Sequence, residues 1–141
     1  MRSLLLVMVA IALAACGFGE PSATVIGIDC GVENLQMGTE MNQEGRRCLL
    51  EAFENGTPAQ FVSRMTTIEG DPIVRTYAVF GPGDVRIAHD ARLDKFGSGK
   101  IELLRCAGLV PVEEWNRTQV FPDVMPDSVV FVEERCEPYS A

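Results

Sequence analysis

The chain begins with a short apolar run that ends in two small residues and a cysteine, and this run limits what the remainder can fold into. Arg2 is followed by an apolar stretch over residues 4–15, and Cys16 comes directly after Ala14-Ala15. A positive start, an apolar stretch and small residues at its end are the layout of a secretory signal peptide. A helix of this stretch extends about 18 Å, against a hydrocarbon core of about 30 Å. We therefore predict a signal peptide over residues 1–15.

The residues around Cys16, Leu13-Ala14-Ala15-Cys16, resemble the lipobox of bacterial lipoproteins. The resemblance implies that Cys16 carries acyl chains such as palmitate, becomes the first mature residue and makes the lipid bilayer a partner. Several acyl chains give stable anchoring. Gly17 after the cysteine, by resemblance to lipoprotein sorting, implies the outer membrane facing the periplasm if the host has two membranes. Residues 16–24 are the expected tether, and an ordinary signal peptide with a coincidental cysteine is the alternative.

The cysteine count supports lipidation of Cys16. Five cysteines are present, and an odd one in an exported protein is a liability. Without Cys16 an even set remains for an oxidising compartment: Cys30, Cys48, Cys106 and Cys136. Three connectivities are open, and we favour Cys30–Cys48 with Cys106–Cys136 because each closes a short loop. The cysteines lack the close spacing of zinc ligands and His89 is the only histidine, so we expect no metal and no cofactor.

Length and charge restrict the domain count and the partners. About 125 of the 141 residues follow the lipobox, which suffices for a single domain over residues 25–141. The formal net charge is −8, and an acidic surface repels phosphate backbones. We therefore expect no nucleic-acid partner.

The hydrophobic pattern predicts one main helix followed by short strands. Apolar residues recur at helical spacing over residues 41–55, and from residue 60 the period changes to two. Four β-rich runs, at residues 61–68, 74–80, 85–89 and 101–106, are separated by Gly, Pro and Asp turn residues. Prolines favour an irregular stretch over residues 109–126, before an edge strand at residues 129–134. We predict a two-layer, disulfide-stapled α+β domain, with the helix packed on an antiparallel meander of four to five strands.

Two short motifs carry a family resemblance. The first is Thr67-Ile68-Glu69-Gly70-Asp71-Pro72-Ile73, preceded by Arg64, and the second is Asp94-Lys95-Phe96-Gly97, preceded by Asp90. With Asn34-Leu35 and Cys106, they make residues 29–107 similar to a family of small bacterial lipoproteins of unknown function. The resemblance implies the fold and an envelope location, and it implies no activity.

Four carboxylates are the candidate chemical site: Glu69, Asp71, Asp90 and Asp94. In an antiparallel meander, the turn carrying Glu69 and Asp71 and the loop carrying Asp90 and Asp94 lie at the same end of the sheet. Their oxygens could ligate a cation such as calcium. The competing interpretation is that the aspartates accept backbone hydrogen bonds in their own turns.

The remaining residues favour binding over catalysis. His89 has no evident nucleophile, and we interpret it as a packed or surface strand residue. Trp115 is expected to cap the core, with a recognition anchor as the alternative. We expect a non-enzymatic, membrane-anchored envelope domain that binds a protein or a small ligand. The alternatives are a small hydrolase that uses the carboxylate cluster and a secreted-type enzyme inhibitor.

Overall fold

The computed structural model describes residues 27–36, 39–119 and 129–140. The predicted signal peptide, Cys16 and the tether lie outside these residues, as does the predicted start of the domain at residues 25–26. Within the described ranges, no helix is long and apolar enough to cross a membrane.

In the described ranges, six strands form one mixed sheet, and two helices accompany them. In chain order the elements are β1 (Ile28–Leu35), α1 (Gln43–Glu54), β2 (Ala59–Thr66), β3 (Pro72–Gly81), β4 (Asp84–Asp90), β5 (Ile101–Pro111), α2 (Val112–Thr118) and β6 (Phe131–Pro138). The strands lie side by side in the same order. β1 is parallel to β2 and all later neighbours are antiparallel. Parallel neighbours need a crossover connection, and α1 supplies it.

The α+β class and the two disulfides are confirmed, but the expected meander of four to five antiparallel strands is wrong in detail. The described residues hold six strands, and β1 pairs parallel to β2. A register shift between Asp29 and Val32, where Gly31 has φ +88°, interrupts the alternation of β1. The bulge inserts one extra residue, so the apolar and polar residues of β1 do not alternate with the period of two that indicates a strand.

The stretch over residues 109–126, expected to be irregular, begins as regular structure. β5 continues to Pro111, and α2 follows it directly. Pro111 has φ −51° and lacks an N–H, so it is compatible with the start of a helix. Glu113 and Glu114 stand in the first turn, where negative charge favours the helix dipole. Residues 120–126 lie outside the described part of the chain.

Helix α1 confirms the expected helix to within two residues at its start. Asn42 is its N-cap, and the Asn42 side chain accepts a hydrogen bond from the Gly45 N–H at 3.0 Å. After the helix, Gly56 has φ +65°, a conformation that other residues rarely adopt. Gly45, Leu49 and Ala52 are buried, so the apolar stripe faces the sheet.

The core lies between α1 and the sheet, and one close approach sets its spacing. Fully buried side chains from four strands and the helix fill it: Leu49, Phe61, Val79, Val85, Ile87 and Phe131. A Cβ at Gly45 would lie 2.6 Å from the Cys30 carbonyl oxygen and 2.7 Å from the Phe61 ring. Only glycine therefore lets α1 sit this close to β1 and β2.

The sheet has two chemically different faces, which the strand register defines. The inner face packs against α1 and carries Phe61, Tyr77 and Ile87, which are paired in register. The opposite side we call the outer face, and it carries Val62, Thr76 and Ala88 at the alternate positions.

Both disulfides connect elements that are already neighbours. Cys30–Cys48 joins β1 to α1 with a Cα–Cα distance of 5.6 Å. Cys106–Cys136 joins the paired strands β5 and β6 with a Cα–Cα distance of 4.0 Å. The structure therefore contains the favoured one of the three connectivities.

Candidate functional site

The turn and the loop that carry the four predicted carboxylates meet at one end of the sheet, as the sequence predicts. The turn at residues 67–71 joins β2 to β3, and the loop at residues 91–100 joins β4 to β5. We call these two segments together the loop end. Asp71 and Lys95 connect them: the Lys95 N–H donates to Asp71 Oδ2 at 3.2 Å, and Lys95 Nζ lies 3.2 Å from Asp71 Oδ1.

Asp71 is the buried member of the four carboxylates and supports both segments. It is 7% exposed, and its own N–H donates to Thr67 Oγ1 at 3.1 Å. Gly70, with φ +87°, closes the turn by donating its N–H to the Thr67 carbonyl at 3.0 Å. The backbone N–H and then the ammonium of Lys95 lower the pKa of Asp71 below its ordinary value. Asp71 is therefore ionised at neutral pH and neutralised from within the protein.

Asp90 and Asp94 have separate local partners. Asp90 binds the Arg92 guanidinium at 2.7 and 2.9 Å, and this hydrogen bonding lowers the pKa of Asp90. Asp94 Oδ1 accepts the N–H groups of Phe96 and Gly97, both at 3.0 Å. These are the turn-bracing contacts of the competing interpretation, made with residues two and three positions along the chain.

The four carboxylates do not converge on one point. Glu69 is exposed and no contact joins it to Asp71, Asp90 or Asp94 in the described residues. The described part of the chain contains no group of three or more His, Cys, Asp or Glu side chains that could hold a metal ion. An open depression of about 280 Å³ lies instead beside the N-terminus of α1, where Asp29, Asn42 and Glu44 line it with the Cys30–Cys48 disulfide.

The loop end carries large apolar side chains that are exposed to solvent. Ile68 is 95% exposed at the tip of the turn, and Leu93 and Phe96 are 69% and 79% exposed on the loop. Single exposed apolar residues are common on protein surfaces. Here three of them stand on two segments that the Asp71–Lys95 contacts hold together.

Polar side chains also form a row across the inner face, which the sequence analysis missed. Strand pairing places five of them in register: Glu33, Ser63, Arg75, His89 and Glu102. Buried atoms of three members make no hydrogen bond within the described structure: Ser63 Oγ, Arg75 Nε and His89 Nδ1. Alternation within each strand places Ser63, Arg75 and His89 on the inward side, but only the pairing of the strands aligns them in one row.

At one end of this row, Glu33 and Arg46 form a buried ion pair. Their side chains are 1% and 9% exposed, and the Arg46 Nε and the Asn42 N–H each donate to Glu33 Oε2 at 3.1 Å. Arg46 also lies over the rings of Phe61 and Phe131, at 5.9 and 5.7 Å from their centroids. Burial alone would raise the pKa of Glu33, but hydrogen bonds and the charge of Arg46 outweigh it and lower the pKa.

Beside the row, Tyr77 joins β3 to β6. The Tyr77 hydroxyl donates to Glu133 Oε1 at 2.8 Å, and Arg75 Nη1 lies 3.2 Å from both oxygens. Burial, followed by the negative charge of Glu133, raises the pKa of Tyr77, so its hydroxyl remains protonated. These contacts connect β3 to β6 on the inner face.

Trp115 lies on α2 and is half-buried. Its carbonyl oxygen accepts hydrogen bonds from the Thr118 hydroxyl at 2.7 Å and from the Gln119 amide at 3.3 Å. The described residues therefore place Trp115 on a short helix, and its two suggested roles, core capping and recognition, both remain predictions.

No family model, no curated protein and no solved structure matches the sequence or the fold.

Proposed function

We propose that this chain is a lipid-anchored protein of a bacterial envelope whose folded domain binds a partner protein through its loop end. One observation carries the proposal of binding: Ile68, Leu93 and Phe96 are 69–95% exposed on two segments tied together by Asp71 and Lys95. Ordered segments that present apolar side chains lose little conformational entropy when a partner covers them.

The direction of the strands supports a protein partner. β1 runs parallel to β2, and β2 leads into the turn at residues 67–71, so the start of β1 lies at the opposite end of the sheet. A lipid on Cys16 would hold the domain by that opposite end. The loop end then points away from the anchoring bilayer, where an envelope protein can reach it.

The contacts of the carboxylates favour binding over hydrolysis. Asp71 is neutralised by Lys95, Asp90 by Arg92, and Asp94 caps the backbone of its own loop. A general acid and base need a shared cleft and a free carboxylate within reach of a substrate. The open depression beside α1 contains none of the four.

Lipidation is tested by replacing Cys16. We expect Cys16→Ser to abolish incorporation of a fatty-acid analogue and to leave an uncleaved precursor or a soluble protein. Cys30→Ser is the matched control, since it removes a disulfide cysteine and leaves the lipobox intact. Equal label in the wild type and Cys16→Ser would refute the anchor.

Binding is tested by capture from an envelope extract with the full lipidated chain in mild detergent. We expect the wild type to retain a defined envelope protein, and Ile68→Ser/Phe96→Ser to lose it. Ile28→Ser is the control, because Ile28 is 46% exposed at the opposite end of the sheet. If the double variant and the control retain the same proteins as the wild type, the loop end is not the binding surface.

A further inference from the structure

The second half of β6, residues 134–138, contributes no buried side chain to the core. All of these residues are exposed, whereas Phe131 at the start of the strand is 2% exposed. A segment that buries few apolar contacts opens at a lower free-energy cost than the core strands do. We call residues 134–138 the strand tail.

The side chains of the strand tail add little to its backbone pairing with β5. Pro138 lies opposite Leu104 and has no N–H to donate to the neighbouring strand. Glu134 and Arg135 form an ion pair at 3.5 Å, with side chains 49% and 73% exposed. A solvated pair of this kind contributes little to stability.

The remaining contacts at this end are also made at the surface. Glu137 lies opposite Arg105, but the Arg105 guanidinium donates to Asp84 at 3.0 Å. Directly after the strand tail, the Tyr139 N–H donates to the Leu103 carbonyl at 3.0 Å. Backbone pairing at an edge strand is therefore the main noncovalent contact of the strand tail.

The Cys106–Cys136 disulfide links the strand tail covalently to the core. Cys106 is 0% exposed and belongs to the core cluster, whereas Cys136 is exposed on the strand tail. A thiol in solution can therefore reach the disulfide from the Cys136 side. Exposed disulfides are more readily reduced than buried structural ones.

The residue before Cys136 has a backbone conformation that favours opening of the strand tail. Arg135 has φ +51°, in the left-handed region that non-glycine residues rarely adopt. A residue stays in such a conformation only where the surrounding structure holds it there. On one side of Arg135 the disulfide holds Cys136, and on the other the Tyr77 hydroxyl donates to Glu133 at 2.8 Å.

The first half of β6 has contacts that do not depend on this disulfide. The Phe131 ring is buried and packs edge-on against the Tyr77 ring, with 5.9 Å between the centroids. Glu133 is bound by Tyr77 and Arg75. Opening that begins at the end of β6 therefore stops near Arg135 and leaves the core packed.

We propose that the Cys106–Cys136 disulfide is a redox-sensitive latch, whose reduction by a dithiol releases the strand tail while the rest of the domain stays folded. A thiolate of the dithiol attacks Cys136 Sγ, the S–S bond breaks, and Cys106 leaves as a thiolate and takes up a proton, since burial disfavours its charged form. The second thiol of the dithiol then attacks the mixed disulfide and releases Cys136. The protein disulfide is reduced to two thiols, and the dithiol is oxidised to a disulfide.

Release of the strand tail leaves part of the β5 edge without a partner. Residues 103–106 of β5 pair with the end of β6, and their backbone groups become accessible to water when the tail leaves. An unpaired strand edge can pair with another strand. The redox state of the latch therefore decides whether this edge is available for pairing.

The other disulfide is the internal comparison. Cys30 is 7% exposed and Cys48 is half-buried on α1, next to the fully buried Leu49. Neither cysteine is exposed, and both elements that they join pack against the core, although an open depression borders them. We therefore expect Cys30–Cys48 to be reduced only under stronger conditions.

The test is stepwise reduction of the full chain in mild detergent, without denaturant. The protein is incubated with increasing concentrations of dithiothreitol and the reaction is stopped with acid. The protein is then unfolded, its free thiols are alkylated, and the modified peptides are identified by mass spectrometry. We expect Cys106 and Cys136 to be alkylated together at concentrations that leave Cys30–Cys48 oxidised.

Hydrogen exchange of the partly reduced protein then measures release of the strand tail. We expect faster exchange in the tail and at the amides of residues 103–106 that pair with it, and unchanged protection in β2 and β3. Cys106→Ala/Cys136→Ala should exchange like the reduced protein without any reductant. Cys30→Ala/Cys48→Ala is the matched control and should keep the tail protected.

Three outcomes would overturn the proposal. They are reduction of Cys30–Cys48 at the same or a lower dithiothreitol concentration, unchanged exchange of the strand tail once Cys106–Cys136 is reduced, and a loss of protection throughout β2 and β3 at that step. The reduction experiment on the wild type needs no variant, so it decides the matter even where a variant does not fold. None of these readouts depends on the lipid anchor or on a partner of the loop end.

Discussion

Replacing Arg46 tests the buried ion pair, and the structure indicates a large effect. In Arg46→Met the apolar part of the side chain still packs between the Phe61 and Phe131 rings, whereas the charge opposite Glu33 is lost. Breaking a buried pair by removing one partner costs about 3–5 kcal/mol, because the other charge stays buried without compensation. The total stability of a domain is roughly 5–15 kcal/mol. We therefore expect the free energy of unfolding to fall by about 3–5 kcal/mol at neutral pH.

The double variant Glu33→Gln/Arg46→Met separates the charge from the packing. It removes both charges, so we expect a loss of about 1–2 kcal/mol, which is smaller than that of Arg46→Met alone. Unfolding of the full chain by guanidinium chloride in detergent, with the disulfides intact, measures the free energy of unfolding of both variants. Circular dichroism follows the transition. A double variant as unstable as Arg46→Met would show that the loss comes from packing.

The stability difference between the wild type and Arg46→Met depends on pH in a definite direction. In the wild type the pKa of Glu33 lies below its ordinary value of 4.5, so the stabilisation is present above that value and is lost as the pH falls through the folded pKa. In Arg46→Met, burial without the arginine raises the pKa of Glu33, so protonation relieves the buried charge. We expect the difference between the two proteins to shrink as the pH is lowered from about 7 to about 4. A difference that stays constant or grows would refute this argument.

Three further predictions follow from close contacts. Gly45→Ala places a Cβ 2.6 Å from a backbone oxygen of β1, so we expect a loss of about 1–3 kcal/mol in the free energy of unfolding, measured by guanidinium titration. Tyr77→Phe removes the hydroxyl that donates to Glu133 at 2.8 Å, and we expect it to lose about 1 kcal/mol in the same assay. Millimolar calcium should raise the melting temperature of the wild type and of Asp71→Asn/Asp94→Asn no more than a monovalent salt of equal ionic strength does, because both aspartates already have partners; a calcium-specific rise abolished by the double variant would instead indicate a cation site.

Helix α1 was predictable because its determinants are local. Its stripe repeats at helical spacing, Asn42 caps its start and Gly56 follows its end. The disulfide set was predictable because setting aside Cys16, the proposed lipidation site, leaves an even number of cysteines. The positions of Asp71 and Asp94 at the same end of the sheet were predictable from the alternating direction of an antiparallel meander.

Strand β1, helix α2 and the inner polar row were missed for different physical reasons. The bulge at Gly31 shifts the alternation of β1, and prolines suggested an irregular chain where Pro111 in fact precedes a helix. The row from Glu33 to Glu102 consists of residues far apart in the chain, each unremarkable on its own strand. Only the pairing of five strands in register brings them together.

The sequence therefore predicts a helix or a turn where the determining residues lie within a few positions of one another. Asn42 at the start of α1 and Gly70 in the β2–β3 turn are examples. The parallel pairing of β1 and the burial of the charge on Glu33 depend on which strands become neighbours. Strand register determines which side chains lie next to one another on each face of the sheet. A shift of one residue would move every side chain of a strand to the other face. For that reason the α+β class followed from the sequence, whereas the inner polar row and the exposure of the loop end followed from the tertiary structure.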